Sequence, residues 1–176
     1  MDPAREECLA GYRRALRELN SWLASATPSD LQRKSNGTRW TNEELLFHMV
    51  FGYMIVRSLL PLVRVMSRLP RSWGRGFAAG LNAATGPFDV VNYWGSVAAA
   101  MVYDRHRMGR KLEKTIAALA RRLERETPDS LARSMPFPTR WDPFFTADMT
   151  LADTYAYATQ HFDFHAKQLS LRSLEP

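Results

Sequence analysis

Apolar residues recur at helical spacing along four long stretches of this chain, and no stretch shows the apolar–polar alternation of a half-buried strand. That periodicity restricts the fold to the all-α class. The first stretch runs from about Pro3 to Ala24, with Cys8, Tyr12, Leu16, Leu19 and Leu23 in register. It ends near Thr27-Pro28-Ser29-Asp30, where proline at a first helical position predicts one short further turn. The second begins at Thr41, whose pairing with Glu44 reads as a capping box, and carries Leu45, His48, Gly52, Ile55 and Leu59 on one face. Pro61 is a candidate kink in it. The third is expected from Ser96 to about Glu126, with Val97, Met101, Asp104, Met108, Leu112, Thr115, Leu119 and Leu123 in register. Thr127-Pro128 then closes it or starts one more turn. The fourth starts with a second capping-box pair, Thr150 and Asp153, and extends to about Leu171. A length of 176 residues suits one helical domain, residues 1–176, around a single continuous core.

Between Arg68 and Trp94 the pattern fails. Pro70, Gly74, Gly76, Gly80, Gly86 and Pro87 interrupt it, while Trp73, Phe77, Phe88, Tyr93 and Trp94 lie among them. Helix links in compact bundles are short, so this long aromatic-rich connection between the second and third helices is unusual. A short helix over about Gly76–Ala84 fits it, and its aromatics suit a cover over a pocket or a subunit contact.

Composition removes several function classes. The stretch Leu45–Met66 is the most apolar, yet His48, Arg57, Ser58, Pro61 and Arg64 interrupt it, so a core helix is expected and not a membrane span. The charged start Met1-Asp2-Pro3-Ala4-Arg5-Glu6-Glu7 lacks an apolar signal region, which makes a cytoplasmic protein the expectation. The single cysteine, Cys8, rules out an intramolecular disulfide and any multi-cysteine metal site. On the inner face of the first helix it reads as a small apolar residue, the alternative being a reactive or metal-binding thiol. A net charge of +6 is spread over many arginines that sit beside acidic residues, with no zinc-finger spacing, RNA-recognition signature or basic tail. Nucleic acid is therefore not the expected partner; an anionic small molecule at a positive pocket mouth fits as well.

His161 and His165 stand four residues apart, one above the other on a single helical face, and His48 lies far upstream in another helix. If those two helices pack together, three imidazoles meet in the core. Neutral imidazole ligates zinc, nickel, copper and iron, and three protein ligands plus an open position mark catalytic rather than structural zinc. The pair resembles the His-Glu-x-x-His motif only in its histidines: Phe162 stands where the glutamate would be, which removes the general base of metalloprotease chemistry. Taken singly, the pair also fits two histidines bonded to neighbours, and His48 a satisfied core histidine. His106, among charges in Asp104-Arg105-His106-Arg107, reads as solvated or at an interface. Asp104 falls on the apolar stripe, where a buried carboxylate wants a partner: a ligand histidine, a proton in flight, or an arginine.

Arg39-Trp40-Thr41 leading into Glu44-Leu45-Leu46-Phe47-His48 resembles the second-helix signature of the DinB/YfiT-like metalloprotein superfamily. Tyr157-Ala158-Thr159-Gln160-His161, followed by His165 and Gln168, is similar to its closing histidine motif. The resemblance implies an up-down-down-up four-helix bundle that often dimerises. It implies a divalent ion, zinc or nickel, on His48, His161 and His165, and thiol-dependent transferase or isomerase chemistry with a low-molecular-weight thiol of the mycothiol type as cosubstrate. The long 68–94 segment departs from the family core.

A divalent ion on neutral imidazoles keeps its full charge for a bound thiol or water. Gly52, one turn beyond His48, leaves room for a ligand in this reading. Trp40, Trp141, Phe144 and Phe145 are candidate cavity walls, although core packing explains each equally, and Arg39 and Arg140 are candidate holders of a thiol's carboxylate. Three functions thus remain open from the sequence: a metal-dependent enzyme acting on a small molecule, a non-catalytic metal- or ligand-binding bundle, and an interaction module.

Overall fold

Threonine side chains start four of the helices in the computed structural model, which describes residues 3–172. In chain order the elements are α1 (Pro3–Ser25), α2 (Pro28–Gln32), α3 (Asn42–Met66), α4 (Arg71–Ala83), α5 (Thr85–Val102), α6 (Arg105–Leu123) and α7 (Pro128–Leu131). A short antiparallel ribbon of β1 (Ser134–Pro136) and β2 (Asp148–Thr150) follows, and then α8 (Leu151–Ala166). Thr27, Thr41 and Thr150 each accept from the amide of the acidic residue at N3, which accepts in return from the threonine amide. Each reciprocal pair satisfies two amides that a helix start otherwise leaves bare. The expected boxes at Thr41 and Thr150 thereby fix where the two histidine-bearing helices begin.

The protein is mostly helical, and α3 is its central element. It packs most extensively on α8 and also against α6, α5 and α2, while α1 lies on α6 and α8. Among the described residues α3 is the one helix long and apolar enough to cross a membrane. Its inner face, including Leu45, Leu46, Met49, Tyr53, Val56 and Leu60, is buried in the core. The helix runs on through Pro61 to Met66. Tyr12 packs edge-on against Tyr53 and donates its hydroxyl to the Tyr155 carbonyl at 2.9 Å, joining α1, α3 and α8. Cys8 packs half-buried against this core, and burial pushes its thiol pKa up, as suits the apolar reading.

Two sequence expectations are corrected. The 68–94 segment is not an irregular connection with one short helix; it is α4 and the first half of α5. Its glycines misled the periodicity. Gly74 is where α4 meets the ribbon, since a Cβ there would stand 2.8 Å from Pro136 Cδ. Pro87 sits in the first turn of α5, where its missing N–H is not needed. In α5, Val90, Val91, Trp94 and Met101 are exposed, so no single apolar stripe marks the helix.

The expected third helix from Ser96 to Glu126 is two helices. Asp104 breaks it, accepting from the amides of His106 and Arg107, both at 3.0 Å, as the N-cap of α6. A short carboxylate gains more from bare amides at a helix start than from an internal position. Asp104 is accordingly exposed and neither orients a histidine nor forms a buried ion pair. His106 is exposed, as expected. α8 stops at Ala166 instead of about Leu171, and the following residues fold back to bury Leu169 and Leu171.

A buried carboxylate ties three helices at one end. Glu126 accepts from Arg64 of α3, from the Tyr155 hydroxyl of α8 at 2.9 Å and from Ser130 Oγ at 2.6 Å. Glu126→Ala leaves Tyr155 and Arg64 without their acceptor and is expected to cost about 2–3 kcal/mol. Urea unfolding of the two proteins measures it.

Candidate metal centre

His48 lies two turns into α3 and His161 three turns into α8, so the packing of these helices sets how close their imidazoles come. At their crossing stands Gly52. A Cβ built there would lie 2.5 Å from His161 Nδ1. The missing side chain thus makes room for the His161 ring, and Gly52 also lines the cavity beside it, as the sequence reading expected. A second clasp holds the ends together. Asn42, fully buried at the start of α3, donates to Ser170 Oγ at 3.1 Å and accepts from the Ser170 amide at 3.0 Å. This draws the chain after α8 against the α3 N-terminus.

His48, His161 and His165 each offer a ring nitrogen within 4.8 Å of the others. The Nε2 atoms of His48 and His161 are 3.2 Å apart. Two nitrogens about 2.0–2.1 Å from one tetrahedral zinc stand roughly 3.3 Å apart, so this pair is at ligand spacing. His165 is the least buried of the three and stands beside that pair.

The outer partners set the tautomers. His165 Nδ1 lies 2.6 Å from Gln168 Oε1, an acceptor, so its proton sits on Nδ1 and its Nε2 lone pair is free. His48 Nδ1 faces Ser96 Oγ of α5 at 3.2 Å; donating there frees its Nε2 toward His161. Buried His161 Nδ1, over Gly52, has no hydrogen-bond partner among the described residues. Trp40 stacks on His48 with ring centres 4.4 Å apart, and Tyr93 stacks on Trp40 in turn.

Burial holds the trio neutral. It depresses His48 to about 3, with the His165 charge adding to the effect. His161 is driven well below its usual value by burial and by both neighbouring histidines, and His165 is lowered by burial despite its bond to Gln168. Neutral imidazoles need release no proton to bind a cation, so the donor set fits a divalent ion at neutral pH.

The trio forms one wall of a cavity of about 280 Å³ bounded by α3, α4, α5, α8 and the β1–β2 loop. Of the expected walls, Trp40, Trp141 and Phe145 line it; Phe144 does not, packing edge-on against Phe164 instead. Arg39 and Arg140 are exposed and do not line it, Arg39 lying over the Tyr93 ring. Asp142 does, accepting from the Tyr157 hydroxyl at 2.7 Å and the Phe144 amide at 2.9 Å, and burial raises its pKa. Sequence reasoning missed both Ser96 and Asp142. Nothing local marks Ser96, whereas the Trp-Asp-Pro turn at Trp141 was a usable signal.

The family model described as the DinB superfamily matches residues 12–169. The chain belongs to the DinB superfamily. No curated protein and no solved structure matches it. The fold of this DinB-superfamily chain brings His48 of α3 together with His161 and His165 of α8.

Two outcomes follow for the site. Gly52→Ala is expected to displace the His161 ring and weaken zinc binding about 10–100-fold, the scale of a lost positioning contact, as read by competition with a chromophoric chelator. In metal-free protein, the unfolded histidines take up protons below about pH 6.5 while the folded ones, with depressed pKa values, do not. Stability is therefore full above pH 6.5 and falls as pH drops toward 3, by about 1.4 kcal/mol per unit for each histidine still neutral. Urea titrations at stepped pH measure the slope, which His48→Gln is expected to reduce.

Proposed function

We propose that this protein is a metal-dependent enzyme, built as the up-down-down-up four-helix bundle of its superfamily. In this reading it holds one divalent ion, zinc or nickel, on His48, His161 and His165, and transfers a low-molecular-weight thiol to an electrophile. The observation that carries the reading is the meeting of three neutral imidazoles, two buried and one half-buried, at the wall of a cavity large enough for a small molecule. A structural site would be closed by a fourth protein ligand; among the described residues no fourth histidine, cysteine or carboxylate joins this group. That favours chemistry over a purely structural ion.

The bound ion would supply positive charge that lowers the pKa of a thiol at neutral pH. The remaining work falls to the chain. Ser96 and Gln168 orient His48 and His165. The aromatic walls keep water from competing with the thiol for the electrophile. Asp142, facing the cavity with its pKa raised, is placed to take the proton that the thiol sulfur releases. The sulfur then forms its bond to the electrophilic carbon as the leaving group departs with its electron pair.

A homodimer, resident in the cytoplasm, completes the proposal. It is supported by the apolar side chains that α4 and α5 present to solvent, among them Trp73, Val91, Trp94 and Met101.

Protein purified without a histidine tag is expected to carry about one equivalent of metal. With mycothiol, bacillithiol or glutathione it should conjugate monochlorobimane. His48→Ala and His161→Ala should each lower that rate by about 100-fold or more, the scale of a lost electrostatic stabiliser, and release the metal. Unchanged turnover in both variants would sink the assignment. Light scattering on the same samples reports the dimer.

A further inference from the structure

The cavity beside the histidines has walls whose chemistry selects one kind of molecule. Phe51 and Ile55 of α3, Phe77 of α4, Phe88 of α5, and Phe137 and Trp141 of the β1–β2 loop are among its lining residues. Phe88 and Trp141 are stacked with ring centres 3.9 Å apart, and the indole N–H of Trp141 is spent on the Leu81 carbonyl at 2.7 Å. That wall therefore offers a guest only ring faces and edges. The Tyr157 hydroxyl is likewise spent, on Asp142.

Charge sharpens the choice. The chain carries 24 lysines and arginines, yet among the described residues none lines this cavity. Among those residues its one carboxylate is Asp142. Without an ion on the histidines, a guest with an anionic body would give up its hydration and meet a carboxylate in place of a cation. An uncharged aromatic body loses little hydration and meets rings. The volume of about 280 Å³ equals that of roughly nine waters at about 30 Å³ each, enough for a fused bicyclic ring system.

We infer that this cavity is the subsite for an uncharged, aromatic-bodied reactant. Carboxylate-bearing thiols are kept out of it and reach the histidines only from its rim. The inference rests on the metal-enzyme reading for which reactant sits where, but the selectivity belongs to the walls and is testable without metal.

The test is calorimetric titration of as-purified and chelator-treated protein with three probes of one shape: 2-naphthalenemethanol (neutral), 2-naphthoate (anionic) and 2-naphthylmethylamine (cationic). The chelator-treated protein is expected to bind the alcohol at least about tenfold more tightly than the naphthoate. Ile55→Trp, which fills the cavity from α3, should weaken the alcohol about tenfold or more with the helical circular dichroism retained. Leu59→Lys, which places a cation on the same wall, should reverse the order of alcohol and naphthoate. Naphthoate binding as tightly as the alcohol, the amine binding more tightly than the alcohol, or alcohol affinity unchanged in folded Ile55→Trp would each overturn the inference. Selective binding of the alcohol by protein that takes up no metal would uphold the subsite and sink the metal-enzyme reading. Stoichiometric metal without that selectivity would do the reverse.

Discussion

The close approach of α3 and α8 at Gly52 is the contact on which the rest of this structure depends. One helix carries His48 and the other carries His161 and His165, and only a residue without a Cβ lets the His161 ring lie where the helices cross. A side chain at that point would move His161 away from His48 and open the 3.2 Å nitrogen pair. Tyr12, Tyr53, Tyr155 and Phe162 fill the core around the same crossing and resist any change in it, because a close-packed interior transmits a displacement instead of absorbing it. The Asn42–Ser170 clasp and the Glu126 network hold the two helices away from the crossing, and the pair is thus fixed along its length.

Burial then gives the site its electrical character. Three imidazoles held neutral, aromatic walls and a single carboxylate make a cavity almost without charge inside a chain of net charge +6. A cation placed there would be the dominant charge in the cavity. The excess of arginine stands elsewhere, including a group of Arg64, Arg68, Arg122, Arg125 and Arg133 around a separate depression. Net charge described the surface of this protein and said nothing about its cavity.

Local signals were read from the sequence where the physics is local. A threonine paired with an acid three residues later satisfies two bare amides of a helix start with its own neighbours, and both predicted boxes are present at Thr41 and Thr150. Periodicity failed where a helix is not packed on one face only. α5 presents Val91, Trp94 and Met101 to solvent and buries Ser96 and Ala100, which hides its stripe. The break at Asp104 escaped notice for the opposite reason: Met101, Asp104 and Met108 keep helical spacing across the point where the chain turns. A carboxylate between an apolar run and a basic one was the available sign of a cap.

The sequence by itself determined the helical class, the starts of the histidine-bearing helices, and the three histidines able to hold an ion, because propensity, capping and i,i+4 spacing act within a few residues. Only the tertiary structure decided that Gly52 seats the His161 imidazole at the edge of the cavity, that Ser96 and not Asp104 faces His48, and that the cavity is walled by aromatics from α4, α5 and a distant loop. Those facts depend on which surfaces meet. The meeting of α3 and α8 is a property of packing over more than a hundred residues of chain, since His48 and His161 are 113 residues apart, and no local spacing encodes it.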